Sequence, residues 1–403
     1  MRPLRLLHFA DAHLGVETYG RFDPVLQMNT RLADFTRRLD DIVSRAIDES
    51  VDLVVFAGDA YKSRDPSPTH QREFARRIRR LSEADIPTFL LVGNHDLPAA
   101  SGRASSLDIY DTLAVPRVTV ARSLQTHIIE TRAGPLQIVA LPWLRRSALL
   151  AQAENRAMTA EETRRAIEEH AANFIAASAE SLRSDVPAIL VAHVSVEGAV
   201  FGSERSVLVG DDVALPLSSI ARPEFRYVAL GHIHKHQVLS NDPPTIYPGS
   251  IERVDFGEES DKKGFVIAEL GETTTWRFQD LPARRFVTIR ARAHELDPTG
   301  SIVAAISQAD VEDAIVRVMV QAEPDVDARV DYATVRRALD GAAMVAGVHR
   351  DVARADRRGI GSEGLEFLKP IDALERYLTA REIPETRRAI LRQYAIRLNE
   401  AAP

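Results

Sequence analysis

At 403 residues, with hydrophobic residues at 45% and charged residues at 27%, the chain is long enough for two or three compact units, each with its own core. It has no cysteine, which excludes disulfides, thiolate zinc sites and iron–sulfur clusters. The formal net charge of -7 argues against non-specific nucleic-acid binding by the bare chain, and no run of about 18 apolar residues offers a membrane span.

The apolar run before His8 and Asp11 is too short for a signal peptide, so a cytoplasmic chain is expected. Arg5 to Ala10 reads as a strand ending at Asp11-Ala12-His13. A long helix follows, with Leu32, Phe35, Leu39, Ile42, Val43, Ala46 and Ile47 at helical spacing. Val51 to Ala57 is a buried strand running into Gly58-Asp59. A helix over about Ser67 to Ala84 leads to a strand from Thr88 to Val92, which stops at Gly93-Asn94-His95-Asp96. Ala188 to Ala192 ends at His193, and Tyr227 to Leu230 ends at Gly231-His232-Ile233-His234.

From about Leu281 the pattern changes. Arg285 to Ala291, Ala314 to Val320 and Met344 to Val348 read as strands, Ser301 to Ser307 and the stretch from Asp331 to Leu339 as helices. The division expected is a main α/β domain over 1–280, a small α+β capping domain over 281–349, and C-terminal helices over 350–403. In the last segment Ile371, Leu374 and Leu378 form one apolar stripe, and Ile390, Leu391, Tyr394 and Leu398 a second.

Five times an apolar strand stops and Asp, His or Asn follows at once. Any one case reads equally well as a loop residue or a satisfied core histidine, but in layered α/β domains ligands gather where strand carboxyl ends converge. Asp11, His13, Asp59, Asn94, His193, His232 and His234 together offer two carboxylates, one amide and four imidazoles. Two divalent ions about 3.5–4 Å apart need roughly this many ligands, one carboxylate bridging. Oxygen and nitrogen donors without sulfur suit manganese, iron or zinc better than calcium. Gly58, Gly93 and Gly231 leave room for sharp turns beside the donors.

The ordered series Asp-x-His, Gly-Asp, Gly-Asn-His-Asp, a later His and Gly-His-x-His resembles the calcineurin-like metallophosphoesterase superfamily. The resemblance implies a four-layer sandwich, two β-sheets flanked by helices. It also implies that Asp11, His13 and His234 hold one metal, that Asn94, His193 and His232 hold the other, and that Asp59 bridges. His95 would be catalytic rather than a ligand, with Asp96 as its orienting partner. Water would be the nucleophile, with no covalent intermediate.

Two further segments narrow the resemblance. Leu7 to Gly15, and Tyr247-Pro248-Gly249-Ser250 followed by Arg253, Phe256, Glu258, Lys263 and Gly264, are similar to SbcD-type DNA-repair exonucleases. That family implies manganese, 3′-to-5′ exonuclease action on duplex ends and endonuclease action on hairpins or single strands. It also implies a homodimer, and C-terminal helices (Ile371, Leu374, Leu378, Leu391, Tyr394 and Leu398) that bind an SbcC-type ABC ATPase. Lys62 and Ser250 are the candidate contacts to DNA. Archaeal and eukaryotic relatives carry His three residues after the bridging Asp, where this chain has Lys62. A small-substrate phosphodiesterase or phosphatase, and a mainly architectural protein that tethers DNA, are the alternative readings.

Overall fold

The structure is a computed structural model that describes residues 2–98, 103–145, 158–202, 213–352, 374–375, 378–379 and 383–400, with side chains to 395. By packing, the chain divides into two units. One comprises Met1–Thr288, Ala309–Arg317 and Leu339–Gly347, the other Ile289–Gln308, Val318–Ala338 and Val348–Pro403.

The first unit is built on two six-stranded sheets. Strands β1 (Leu4–Phe9), β2 (Leu53–Phe56), β3 (Thr88–Leu91) and β4 (Val118–Ala121) run parallel. Strands β5 (Gln125–Thr131), β6 (Gly134–Leu141), β7 (Ala188–His193), β8 (Tyr227–Gly231), β9 (Gln237–Asn241) and β10 (Pro244–Tyr247) form the second sheet, in the order β9-β10-β8-β7-β6-β5. β11 (Gly264–Leu270) and β12 (Thr274–Asp280) return to the first, giving β12-β11-β1-β2-β3-β4.

Successive strand residues point to opposite faces, and this alternation sorts the core into three layers. Leu7, Val54 and Leu90 face outward against helices α1 (Thr30–Asp48) and α2 (Pro68–Glu83), meeting Leu32, Phe35 and Phe74. Leu6, Val55 and Phe89 face inward, onto Ile189, Tyr227 and Ile246 of the other sheet. The outer face of that sheet, Val139, Leu190 and Val228, packs on Ile167 and Ile175 of α3 (Ala160–Glu180). The result is the expected helix–sheet–sheet–helix sandwich. Fully buried Phe35 alone accounts for about 1.5–3 kcal/mol of apolar burial. His8 lies in the inner layer, where its ring bonds Tyr227 Oη at 2.9 Å and the Leu230 carbonyl at 3.1 Å. Burial drives its pKa down to about 3, so it stays neutral.

The third sheet has the order β13 (Phe286–Arg292), β14 (Ile315–Ala322), β15 (Met344–Val352). The second unit contains α4 (Pro298–Ser307) and α5 (Tyr332–Arg337), whose buried residues include Ile302, Ile306 and Val335. Asp331 caps α5 by accepting from the backbone N–H of Ala333 and Thr334. The second C-terminal stripe lies on α6 (Glu385–Glu400). Of the first stripe only Leu374 and buried Leu378 are described, and Ile371 and the Leu398 side chain fall outside the described residues. Among the described residues no helix is long and apolar enough to cross a membrane.

Candidate metal centre

Strand register brings the donors together. In the first sheet Phe9 pairs with Phe56 and Phe56 with Leu90, so the segments carrying Asp11, Asp59 and Asn94 leave the sheet side by side. In the second, His193 pairs with Gly231, the residue before His232. Both sets leave the carboxyl ends of parallel strands.

All seven donors converge. Ligand atoms of Asp11, His13 and His234 lie within 4.8 Å of one another, as do those of Asp11, Asp59 and His193. His13 Nε2 is 2.9 Å from His234 Nε2 and 3.8 Å from Asp59 Oδ2. His193 Nε2 is 3.5 Å from the same Asp59 oxygen and 3.0 Å from Asn94 Oδ1, and His232 Nδ1 is 3.2 Å from that Asn94 oxygen. Asp59 therefore stands between a His13–His234 side and an Asn94–His193–His232 side.

Holding these groups strains the backbone. Asp11, His13, Asp59 and His232 all have positive φ, at 51°, 40°, 64° and 104°. Non-glycine residues in that region cost of order 1–3 kcal/mol each and cluster at functional sites. At φ 101°, Gly58 is a position where a Cβ would also come within 2.4 Å of His193 Nδ1. Gly249, at φ 79°, has no room for one either, with the His234 carbonyl 2.6 Å away. The Pro-Gly-Ser segment packs on the backbone of a donor, and Ser250 N–H donates to the His234 carbonyl at 3.0 Å.

Residues 4–236 match the family described as calcineurin-like phosphoesterase. The chain belongs to that family. It is a metal-dependent phosphoesterase. Among individual proteins it is 28% identical to the SbcD component of nuclease SbcCD of Rhodobacter capsulatus over 328 residues, 77% of each chain. The Bacillus subtilis protein of the same name is 28% identical over 284 residues, 68% of each chain. The DNA double-strand break repair protein Mre11 of Archaeoglobus fulgidus is 25% identical over 366 residues, 83% of this chain and 74% of that protein.

The donor chemistry of this phosphoesterase fits divalent ions. His193 Nδ1 lies 2.7 Å from the Ala57 carbonyl and His234 Nδ1 2.7 Å from Glu258 Oε1, both acceptors only. Each Nδ1 therefore carries the proton; the His193 Nε2 turns a lone pair toward the acceptors Asn94 Oδ1 and Asp59, and the His234 Nε2 turns its own toward His13 Nε2. A cation shared among them reconciles the arrangement. Without one, protons take its place. Against the cost of burial, Asp59 and Asp11 hold His193 up at about 9. Burial pushes Asp11 up to about 7, although His193 and His234 oppose it.

His95 stands beside the donors, its ring 5.0 Å from that of His13. Its orienting partner is not Asp96. The His95 Nδ1–H donates to the Lys62 carbonyl at 2.8 Å, and its backbone N–H to Asp59 Oδ1 at 2.8 Å. Asp96 points into the fold with no exposed surface, accepting from the backbone N–H of Asp59, Gly93 and Ala60 at 2.9 Å each. It fastens the Asp59 loop to the Asn94 loop and does not reach the reacting groups. Ser250 also departs from expectation. It is wholly buried, donating to the Glu252 carbonyl at 3.0 Å and accepting from Lys263 at 2.8 Å, so it presents nothing to a substrate. The Lys62 side chain is exposed.

Two contacts to the donors escape the motifs. Glu258 and Lys263 follow Tyr247-Pro248-Gly249-Ser250 in the chain, but their contacts with His234 are visible only in three dimensions. Trp143 follows the end of β6 and tilts against His232, ring centroids 4.9 Å apart. An aromatic just past a strand end was the only available signal.

Proposed function

We propose that this chain is a two-metal DNA nuclease, with 3′-to-5′ exonuclease action on duplex ends and endonuclease action on hairpins or single strands. It would act in double-strand-break repair with an SbcC-type ABC ATPase. Asp11, His13 and His234 would hold one ion, Asn94, His193 and His232 the other, with Asp59 between them and manganese as the metal. Bound ions would supply the Lewis acidity that phosphodiester cleavage needs. The observation that carries the reading is His95, poised beside the complete donor set with Nδ1–H fixed on the Lys62 carbonyl. Nε2, the ring's other nitrogen, would carry the proton passed to the leaving oxygen. An idle scaffold has no use for such a residue.

Relatives named as the SbcD component of nuclease SbcCD, aligned over two thirds or more of both chains, support DNA as substrate and an ATPase as partner. We further propose a cytoplasmic homodimer whose C-terminal stripes meet the ATPase, because Leu391 and Tyr394 are 38% and 61% exposed. The net charge of -7 is the observation that favours the second reading, a small-substrate phosphodiesterase. End-labelled duplex, hairpin DNA and a chromogenic diester, each incubated with Mn²⁺ with and without the ATPase, separate the two. Cleavage of DNA ends and hairpins is expected. Hydrolysis of the diester with intact DNA under every condition would favour the small-substrate enzyme.

A further inference from the structure

Behind His234 lies a charged group sealed from solvent. The side chains of Glu258 and Lys263 are both 0% exposed, with Lys263 Nζ 2.8 Å from Glu258 Oε2. The same ammonium donates to the His234 carbonyl at 3.1 Å and to Ser250 Oγ at 2.8 Å. Glu258 uses both oxygens: Oε1 accepts from His234 Nδ1 at 2.7 Å, Oε2 from Val254 N–H at 2.9 Å.

A buried ion pair is weak evidence for stability, since a well-packed apolar pair of similar volume usually serves as well or better. What this pair provides is an anionic acceptor fixed against one imidazole. A carboxylate behind a ligating histidine sets its tautomer and raises its basicity. The other side of the centre differs, for His193 Nδ1 rests on the neutral Ala57 carbonyl.

We infer that Glu258, held in place by Lys263, is the positioning residue for His234, and that it makes the His13–His234 side the tighter of two unequal ion sites. This rests on His234 being a ligand. A glutamine at 258 has a single acceptor oxygen. It must either abandon Val254 N–H or turn its NH₂ toward His234, which reverses the tautomer and blocks Nε2.

The test is a Mn²⁺ titration of the full chain by calorimetry, with bound metal counted after desalting. The variants are Glu258→Gln/Lys263→Met, which removes both charges together, and His234→Ala. The double variant is expected to bind one ion as the wild type does and the tighter one about 10–100-fold more weakly. Two ions bound with wild-type affinities would overturn the inference. If His234→Ala also binds both normally, the ligand reading fails as well; if it loses one, only the role of Glu258 fails. Should the double variant not fold, nitrogen-15 spectra of histidine in the metal-free wild type decide. Protonated Nδ1 on His234 is expected, and an Nε2–H tautomer with bare Nδ1 contradicts it.

Discussion

His13 Nε2 and His234 Nε2 lie 2.9 Å apart, although the residues are 221 positions apart in the chain. Two nitrogens meet at that distance only with a proton or a metal ion to share, and both residues are nearly inaccessible to solvent. The left-handed backbone at Asp11, His13, Asp59 and His232 points the same way: folding strains the very residues that carry donors.

Metal uptake is therefore expected to release protons. In the metal-free protein His193 titrates near 9 and Asp11 near 7, whereas ligation needs a neutral imidazole and an ionised carboxylate. Both shifts are upward, so each of these two groups binds more protons in the metal-free fold than in the unfolded chain between its ordinary and raised values. The stability they contribute falls as pH rises through about 7 to 9, while apparent affinity for Mn²⁺ climbs. Calorimetry in buffers of different ionisation enthalpy measures the protons directly. At least one per molecule should leave at pH 7, and none leaving would contradict this account of the ligands. At free Mn²⁺ a hundredfold above Kd, each site should add about 2.7 kcal/mol of stability.

His95 and Asp96 are neighbours with opposite roles, and substitution should separate them. His95→Gln is expected to keep the fold and both ions while losing roughly 10²-fold in turnover, the usual worth of acid–base assistance. Asp96→Asn cannot satisfy three backbone donors as a carboxylate does. It should lose about 1–3 kcal/mol of stability and release metal. Metal content and thermal melts on both variants check the pair. A stable, metal-replete Asp96→Asn with damaged turnover would return Asp96 to the reacting groups.

Much of this was legible in the sequence because each buried strand ends in an abrupt change from apolar to polar residues. Val51 to Ala57 before Gly58-Asp59 shows it plainly. Helical and alternating periods marked an α/β domain, while the four-layer arrangement came from the family resemblance. Less legible were β5, whose half-exposed edge pattern carries a weak apolar signal, and the joining of β6 to β7 across the intervening α3, a pairing no local pattern announces. Adjacent letters also misled at one point. His95-Asp96 reads as a catalytic pair, yet the turn sends one side chain to the donors and the other beneath them. Ser250 failed likewise, since burial of a turn hydroxyl depends on Lys263 thirteen residues later.

Lys62 tests the DNA reading at the exposed edge of the centre. If its ammonium meets a backbone phosphate, Lys62→Ala should weaken DNA binding and reduce the slope of log K against log salt by about 0.9. Binding measured from low to moderate salt decides it, and an unchanged slope would assign Lys62 to the solvated surface.

At the other end of the chain, Leu391→Asp with Tyr394→Asp places two charges on exposed positions of α6. Diester hydrolysis should be unaffected, and co-purification with the SbcC-type ATPase should be lost. Retained co-purification would move the contact elsewhere.

The central claim is that two ions occupy the seven converging donors. Crystals grown with Mn²⁺ and measured at the manganese edge test it in one experiment. Two anomalous peaks about 3.5–4 Å apart are expected. One should lie among Asp11, His13 and His234, the other among Asn94, His193 and His232, with Asp59 reaching both. A single peak, or peaks away from these residues, would contradict the account.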